Sequence, residues 1–139
     1  MVVVDSDLII KYLRKKPRFA EDYLNNLFDN NERLKTTIFN YAELFEGAYL
    51  TNNVPKNLRY VKEFLAKFEI LPFQLIDADL FSQIHAQLLR SGTPVGDVDV
   101  LIASIVINQG ETLVTQNIKH FGKISRLKIR DWGKNSTKI

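Results

Sequence analysis

Three features of the sequence predict an α/β fold with a mostly parallel sheet of four to five strands. Short apolar runs of strand length alternate with longer segments in which apolar residues recur at helical spacing. Parallel neighbouring strands need crossover connections, and the intervening helices supply them. The 139 residues, of which 45% are hydrophobic and 25% charged, suit one globular domain with a substantial core. We therefore expect residues 1–139 to form a single domain.

The first half of the chain predicts two strands, each followed by helix. Residues 2–4 (VVV) are a β-branched run typical of a buried strand, and residues 8–13 then switch to helical spacing. A second amphipathic segment spans residues 19–28. Residues 34–37 (LKTT) predict a second strand, after which FNYAELFEGAYL (39–50) is helical by spacing.

The second half of the chain continues this alternation. Pro72 closes a short strand, SGTPVG ends a helix with turn-forming residues, and Gly110 stops a segment that is apolar on nearly all sides. Such a segment predicts a buried helix. The predicted elements are a helix after Pro55 that runs to Phe68, a strand at 69–73, a helix from Asp77 to Leu89, the buried helix from Asp97, a strand at 112–115 and a possible fifth strand at 127–132.

Composition excludes several kinds of site and partner. The absence of cysteine rules out disulfides, thiolate metal sites and cysteine nucleophiles. No apolar run approaches the ~20 residues of a membrane span, so we expect a soluble, cytoplasmic protein without membrane contact. Residues 118–139 hold seven basic and one acidic residue, whereas residues 1–117 hold 12 basic and 15 acidic ones. A basic tail suits a polyanionic partner such as RNA or DNA, although a merely solvated tail would have the same charge.

Polar side chains follow the predicted parallel strands at their carboxyl ends, which is the edge where such sheets bind ligands. Asp5 and Asp7 come directly after the first strand, and Asn117 follows the fourth. Asp97 and Asp99 lie in the first turn of the buried helix. Each of these residues could also have a purely structural role. Asp5 and Asp7 are good helix caps, Asp97 and Asp99 would complement the helix dipole, and Asn117 is an ordinary turn residue.

Glu43 lacks the basic neighbour that an exposed helical glutamate often has. The residues three and four positions away are Phe39, Asn40, Glu46 and Gly47. A glycine inside a helix costs ~1 kcal/mol relative to alanine, which favours a close backbone approach at this position. We therefore expect this helix to be tightly packed and its glutamate to lie near a cation.

If these elements converge, Asp5, Glu43 and Asp99 share one cleft, with Asp97 nearby. Like charges ~4 Å apart repel by ~1 kcal/mol in water and ~4 kcal/mol at an effective dielectric constant of 20, so the cluster must take up protons or a cation. Oxygen ligands favour Mg²⁺ or Mn²⁺ over zinc. On this interpretation Asp5 binds the metal, whereas Asp7 caps the helix or supports a metal-bound water.

The sequence resembles the PIN-domain ribonucleases, and in particular the VapC toxins of prokaryotic VapBC toxin–antitoxin pairs, over essentially the whole chain. The resemblance rests on VVVDSDLII, TIFNYAELFEGA, GTPVGDVDVLIAS and TLVTQNIKHF, in the family's order and approximate spacing. It implies a three-layer α/β/α PIN-like domain. By this match the catalytic acidic triad corresponds to Asp5, Glu43 and Asp99, and the metal ligands to Asp5, Glu43, Asp97, Asp99 and Asn117.

The resemblance implies a metal-dependent endoribonuclease that hydrolyses RNA phosphodiester bonds with Mg²⁺ or Mn²⁺ and leaves a 5′-phosphate and a 3′-hydroxyl. It also implies a homodimer that a VapB-like antitoxin inhibits, with Tyr12, Phe19 and Tyr23 as contacts unless they are core residues. Two positions depart from the family pattern: Asp7 stands where Asn or Ser is common, and Asn117 stands where some relatives keep a carboxylate. The number of bound metal ions, one or two, stays open.

Basic side chains are the candidates for RNA contacts, because neutralising phosphates supplies affinity with little sequence information. The mechanism requires neither histidine: we expect His85 on a helix face, and His120 either near RNA or as a surface group. Trp132 and Phe121 are expected to pack in the core or at the sheet edge. The candidate phosphate contacts are Lys11, Arg14, Lys15, Lys119, His120, Lys123 and Arg126.

Two other functions stay open. The DSD motif after an apolar strand is also similar to haloacid-dehalogenase-type phosphatases, in which the first Asp becomes phosphorylated. However, DSDLIIKYL lacks the Gly or Thr that usually follows, and a separate catalytic lysine is not evident. The second alternative is a PIN-like scaffold that binds RNA or protein without cleaving it, which the presence of Asp5, Glu43 and Asp99 disfavours.

Overall fold

The computed structural model describes residues 1–31 and 33–133, and helices and strands alternate there as the sequence predicts. Lys134 and Lys138 of the predicted basic tail lie outside the described residues. The strands are β1 (Val2–Val4), β2 (Leu34–Thr37), β3 (Phe68–Leu71), β4 (Thr112–Thr115) and β5 (Lys128–Asp131). The helices are α1 (Ser6–Arg14), α2 (Arg18–Asn30), α3 (Ile38–Tyr49), α4 (Val54–Leu65), α5 (Leu75–Arg90), α6 (Asp97–Asn108) and α7 (Ile118–Phe121). Within the described ranges, no helix has both the length and the apolar character that crossing a membrane requires.

The five described strands form one parallel sheet in the order β3, β2, β1, β4, β5, with β1 at its centre. Val3 of β1 lies opposite Lys35 on one side and Leu113 on the other. Because all strands run in the same direction, their carboxyl ends form a single edge of the sheet, which we call the carboxyl edge. Asp5 and Thr115 lie on this edge, at the ends of two neighbouring strands. The predicted parallel α/β fold is confirmed.

Side-chain alternation along β1 separates two hydrophobic cores. Val2 and Val4 face one side of the sheet and pack in a core formed with helices α1 to α4. Val3 faces the other side and packs in a core formed with α5, α6 and α7. Trp132 and Phe121 are buried in these cores, as the sequence predicts. Helices on both faces of a parallel sheet make the three-layer α/β/α arrangement that the resemblance implies.

Polar residues at the carboxyl edge start two of the helices. Asp5 is the N-cap of α1, and its Oδ1 accepts a hydrogen bond from the backbone N–H of Ser6 at 2.9 Å. Thr37 ends β2 and caps α3 in a capping box with Asn40. Because strand and helix follow each other without an intervening loop, the first turns of α1 and α3 are held in a fixed relation to the sheet.

The structure differs from the prediction at Phe68. Helical spacing from Phe64 extends α4 to Phe68, but α4 ends at Leu65, and Phe68 begins β3 opposite Leu34. The Phe68 ring still lies 5.5 Å from the Phe64 ring, measured between centroids. Phe68 therefore keeps its contact with Phe64 from a strand position. The pairing of β3 with β2 outweighs the helical spacing of the apolar residues. The sequence does not predict α7, because four residues are too few to show a period.

Gly47 does not make the close helix contact that its position in α3 predicts. A Cβ at this position would meet no heavy atom within 4 Å, apart from the helix's own backbone. The residue instead lines an open groove between α1, α3 and α4, together with Ile10, Leu13 and Tyr60. The expectation of tight packing at Gly47 is wrong, because the missing side chain leaves room in a groove.

We expect Gly47→Ala to stabilise the protein by up to about 1 kcal/mol, because alanine is the better helix former and its methyl group meets open space. The effect is measured as a rise in the Tm of thermal unfolding. Gly92→Ala is the control: Gly92 has a φ of +71°, where a Cβ is strained, so the same change should lower Tm. A fall in Tm for Gly47→Ala would show that α3 needs the glycine.

Candidate active site

Asp5 is the buried centre of the candidate active site. It lies between β1 and α1 and is only 7% exposed. Its Oδ1 accepts hydrogen bonds from the Ser6 N–H at 2.9 Å and from Asn40 Nδ2 at 2.8 Å. Its Oδ2 accepts one from Thr115 Oγ1 at 2.7 Å. Three separate segments of the chain, around α1, α3 and the end of β4, therefore meet at this one carboxyl group.

The pKa of Asp5 is raised to about 7, and burial is the largest cause. The negative charges of Asp7 and Glu43 raise this pKa further. The hydrogen bonds that Thr115 and Ser6 donate act in the opposite direction, because they favour the ionised carboxylate. A carboxyl group with a pKa of about 7 is only partly ionised at neutral pH unless a cation binds beside it.

Glu43 reaches the same pocket from α3. Its Oε1 accepts a hydrogen bond from Ser6 Oγ at 3.2 Å. Partial burial is the largest cause that raises the pKa of Glu43, and nearby acidic groups, Asp99 first among them, raise it further. Among the described residues, no Lys or Arg lies within 4 Å of the Glu43 carboxylate. The cation that the sequence predicts near Glu43 is therefore not a described side chain.

Asn40 is a residue of this site that the sequence interpretation missed. Its side chain is fully buried, and its Nδ2 donates to both Asp5 Oδ1 and Ser6 Oγ, at 2.8 Å in each case. Its Oδ1 accepts from Thr37 Oγ1 at 2.7 Å. The available signal was its spacing: Asn40 lies three residues before Glu43, on the same face of α3. Asn40 therefore orients the Asp5 carboxylate and the Ser6 hydroxyl together.

Asp99 approaches the cluster from α6, with a partly buried side chain. Its Oδ2 lies 3.3 Å from His120 Nδ1 in α7, and Asn117 Nδ2 lies 3.3 Å from the same nitrogen. Burial raises the pKa of Asp99, whereas His120 lowers it. The structure therefore brings Asp99, His120 and Asn117 together at one end of the pocket, and Asp99 is close enough to Glu43 to raise its pKa.

Asp97 does not join this cluster. Its Oδ1 lies 3.0 Å from His85 Nε2 in α5, and its side chain is 76% exposed. Residues two positions apart on a helix do not share a face, so Asp97 and Asp99 turn to different neighbours. In this arrangement Asp97 lies beside His85 and apart from Asp99, and its role as a metal ligand stays a prediction. His85 lies on a helix face as expected, with its ring stacked on Phe81 at 5.0 Å between centroids.

Asp7 lies in the first turn of α1, two residues after the N-cap Asp5. Its Oδ1 accepts a hydrogen bond from the backbone N–H of Leu8 at 2.7 Å, and its Oδ2 accepts one from the backbone N–H of Gln116 at 2.7 Å. The residue that caps α1 is thus Asp5, although Asp7 does bind one of the free N–H groups of the first turn. The bond to Gln116 also ties α1 to the turn after β4.

A groove leads away from Glu43 between α1, α3 and α4. It has a volume of about 240 Å³ and mostly apolar walls that include Leu13, Leu44 and Val61, with Arg14 among its lining residues. Lys119 and His120 are exposed on α7, which packs against α6. Of the other candidate phosphate contacts, three are exposed and one is partly buried: Lys15, Lys123, Arg126 and, partly buried, Lys11.

The residues of the cluster fit a hard divalent cation. Asp5, Glu43 and Asp99 offer only oxygen ligands, and burial, which raises the pKa of each, makes their ionised forms unfavourable unless a cation lies beside them. Across residues 1–31 and 33–133, no three acidic or imidazole side chains are close enough to enclose an ion by themselves. Mg²⁺ requires no such cage, since it retains several waters and takes one or two carboxylates from the protein.

Known proteins resemble this chain over nearly its whole length. The PIN domain family matches residues 2–127. The tRNA(fMet)-specific endonuclease VapC of Salmonella typhimurium is 31% identical over 130 residues, which cover 94% of this chain and 96% of that protein. Ribonuclease VapC1 of Haemophilus influenzae strain R2866 is 27% identical over 133 residues, which cover 95% of this chain and 98% of that protein.

Solved structures give the same result. The structure of VapBC2 from Rickettsia felis, bound to a DNA fragment from their promoter, matches with a TM-score of 0.85 and 28% identity, over 95% of this chain and 99% of that chain. DNA-bound VapBC from Salmonella typhimurium matches with a TM-score of 0.84 and 30% identity, over 94% of this chain and 97% of that chain. The phosphatase interpretation of the DSD motif is therefore wrong. The chain belongs to the PIN domain family and, within that family, to its VapC group.

Proposed function

We propose that this chain is a metal-dependent endoribonuclease that hydrolyses RNA phosphodiester bonds as the toxin of a type II toxin–antitoxin pair. The observation that carries the proposal is the convergence of Asp5, Glu43 and Asp99 at the carboxyl edge of the sheet. Burial is the largest cause that raises the pKa of each of them, and neighbouring acidic groups raise the pKa values of Asp5 and Glu43 further. Relatives aligned over 94% or more of the chain are named as ribonucleases or a tRNA endonuclease, which supports RNA as the substrate.

The proposed ligands of Mg²⁺ or Mn²⁺ are Asp5, Glu43 and Asp99, with Asn117 as a further oxygen donor; one or two of the carboxylates would bind the ion directly and the others through its water ligands. Asp97 is left out of this set because it contacts His85. The bound cation would lower the pKa of the attacking water and neutralise charge on the scissile phosphate. Carboxylates alone would repel that phosphate, so the cluster suits catalysis only together with a cation.

The remaining residues of the site hold these carboxylates in place before RNA binds. Thr115 Oγ1 and Asn40 Nδ2 each hold one oxygen of Asp5, and Ser6 Oγ holds Glu43. Groups that are already oriented need little rearrangement as the substrate reacts. Arg14 shares a groove with Glu43, and His120 contacts Asp99, which supports both as proposed phosphate contacts.

The groove beside Glu43 is the proposed binding site of a VapB-like antitoxin. Its apolar walls suit a hydrophobic segment, and the acidic cluster suits a basic side chain at the end of that segment. The solved VapBC structures of relatives support such a partner. Of the three aromatic residues considered as contacts, Phe19 is 50% exposed, whereas Tyr12 and Tyr23 are partly buried. A homodimer and a cytoplasmic location belong to the same proposal.

Cleavage of a mixed RNA pool, with Mg²⁺, with Mn²⁺ and with a chelator, tests the proposed function. We expect wild-type protein to cleave only with metal, and Glu43→Gln to cleave about 100-fold more slowly, because one ligand charge is lost. Glu46→Gln is the matched control: Glu46 is an exposed glutamate of the same helix and should keep the wild-type rate. Cleavage that survives both the chelator and Glu43→Gln would contradict the nuclease proposal, and no cleavage by wild type would favour a non-catalytic scaffold.

A further inference from the structure

We propose that Trp132 is a positioning residue of the nuclease, which acts on the catalytic carboxylates through Asp7. The inference rests on the proposed function. Trp132 Nε1 donates a hydrogen bond to Asp7 Oδ1 at 3.0 Å. We call the connected set Trp132, Asp7, Thr115 and Gln116 the Trp132 latch.

Trp132 is itself held firmly. Its side chain is 1% exposed, and its ring packs on Phe19 of α2 with 5.8 Å between centroids. Its backbone N–H donates to the carbonyl oxygen of Thr115 at 3.4 Å. A buried indole N–H needs an acceptor, and here that acceptor is a carboxylate next to the active site. The end of β5 is thereby joined to the catalytic edge at two points.

Asp7 connects three segments that are distant in sequence. Besides the Trp132 Nε1–H, it accepts hydrogen bonds from the Leu8 N–H at 2.7 Å and the Gln116 N–H at 2.7 Å, and Thr115 Oγ1 lies 3.2 Å from its Oδ2. A carboxylate has about four acceptor positions, so protein N–H groups occupy three of them and the Thr115 hydroxyl lies beside the fourth. Asp7 is therefore an anchor between α1, β4 and β5.

Thr115 connects the Trp132 latch to the catalytic residue Asp5. Its Oγ1 lies 2.7 Å from Asp5 Oδ2 and 3.2 Å from Asp7 Oδ2, so its single proton favours the shorter bond to Asp5. The same oxygen accepts a hydrogen bond from the backbone N–H of Asn117 at 3.0 Å. Loss of the Trp132 indole N–H would leave Asp7 Oδ1 with the Leu8 N–H as its donor. The end of β4 would then keep its backbone pairing with β5 but lose the side-chain bond that ties Asp7 to β5.

Gly133 provides a second, independent sign of close packing between the end of β5 and this turn. A Cβ at Gly133 would lie 2.5 Å from Gln116 Nε2 and 2.7 Å from Gln116 Cγ. Atoms do not approach so closely, so a Cβ at this position would require the exposed side chain of Gln116 to move. The close packing of the end of β5 on the catalytic edge thus includes both Trp132, which contacts Asp7, and Gly133, which contacts Gln116.

The test compares full-length wild-type protein with Trp132→Phe, which keeps an aromatic ring and removes the N–H. Three quantities are measured: kcat and KM for an RNA oligonucleotide that the wild type cleaves, the Mn²⁺ affinity by calorimetry, and Tm. We expect kcat to fall and Mn²⁺ binding to weaken by about 10-fold each, with KM nearly unchanged, because residues that orient metal ligands have effects of this size. Asp7→Asn, which keeps the Trp132 ring in place, should show the same losses and provides the test if Trp132→Phe does not fold.

Asp77→Asn is the matched control. Asp77 is also a first-turn aspartate that accepts a backbone N–H, from Gln74 at 2.9 Å, and a side-chain N–H, from Asn108 at 2.8 Å, but in α5. It should lower Tm and leave kcat and Mn²⁺ affinity unchanged. The double variant Asp7→Asn with Trp132→Phe should be no worse than Asp7→Asn alone, within about twofold, because both changes break one pathway.

Two results would overturn the proposal. In the first, Trp132→Phe lowers Tm but leaves kcat and Mn²⁺ affinity at their wild-type values, as Asp77→Asn is expected to do. In the second, the losses from Asp7→Asn and Trp132→Phe multiply in the double variant, which would mean that Trp132 does not act through Asp7. A wild-type protein that binds Mn²⁺ but cleaves no RNA would instead refute the proposed function, and the Mn²⁺ titrations of the variants would still decide the role of the latch.

Discussion

Asp5→Asn should abolish RNA cleavage and, at the same time, raise the Tm of the metal-free protein at pH 8. The loss of activity, at least about 1000-fold, follows because the amide cannot supply the negative charge that holds a divalent cation at the centre of the site. The gain in stability follows because Asp5 is 7% exposed and lies beside other acidic groups, so its ionised form is unfavourable without a cation.

The direction of the pH effect follows from the pKa of Asp5. Folding raises this pKa from 3.8 to about 7, so the folded protein holds a proton that the unfolded chain releases. The stability from this group is fully present below about pH 4 and is lost as the pH rises through about 7. Above that pH the ionised group destabilises the metal-free protein by up to about 4 kcal/mol relative to acidic pH. Wild type and Asp5→Asn should therefore differ most in Tm at pH 8 and less than half as much at pH 5.

The hydrogen bonds around Asp5 can accommodate the amide. The side-chain oxygen of the new residue can keep the bonds from Ser6 N–H and Asn40 Nδ2. Its NH₂ group can donate to Thr115 Oγ1, whose own proton then goes to Asp7 Oδ2, 3.2 Å away. Thermal unfolding at pH 5 and pH 8, with and without Mg²⁺, measures the effect, and Mg²⁺ should raise the Tm of wild type far more than that of the variant. A variant less stable than wild type at pH 8 without metal would contradict this account.

Asp99→Asn and Asp97→Asn should differ sharply, although the two aspartates lie two residues apart in α6. Asp99→Asn should slow RNA cleavage by about 1000-fold and weaken Mn²⁺ binding, because Asp99 lies in the acidic cluster beside His120. Asp97→Asn should retain the wild-type rate within about threefold, because its carboxylate contacts His85 and is mostly exposed. The measurements are single-turnover cleavage rates and Mn²⁺ titrations of both variants.

This pair of variants is a sharp test because each serves as the control for the other. Both remove one negative charge from the first turn of α6, where acidic side chains favourably oppose the helix dipole. Effects on helix stability should therefore be similar, and Tm provides a check. Equal losses of activity in both variants would mean that the net charge of the helix end, and not the position of Asp99, governs cleavage.

The sequence predicts the architecture well because the relevant signals are local. Apolar alternation and spacing identify all five strands and the helices between them, except for the short α7. The placement of Asp5 at the carboxyl edge follows from β1 being a strand that leads directly into a helix. The predicted boundary failed at Phe68, where pairing with Leu34 of a distant strand decides the conformation.

The sequence by itself therefore determined the fold class, the family resemblance and the acidic residues Asp5, Glu43 and Asp99, since these depend on residue type and spacing. Only the tertiary structure decided which neighbours each polar group finds. The Asp97 side chain contacts His85, and Asn40 donates hydrogen bonds to both Asp5 and Ser6. Trp132 donates a hydrogen bond to Asp7, which lies 125 residues away in the sequence. The physical reason is that hydrogen bonds and burial depend on side-chain direction between distant segments, and no local period of the chain encodes that direction.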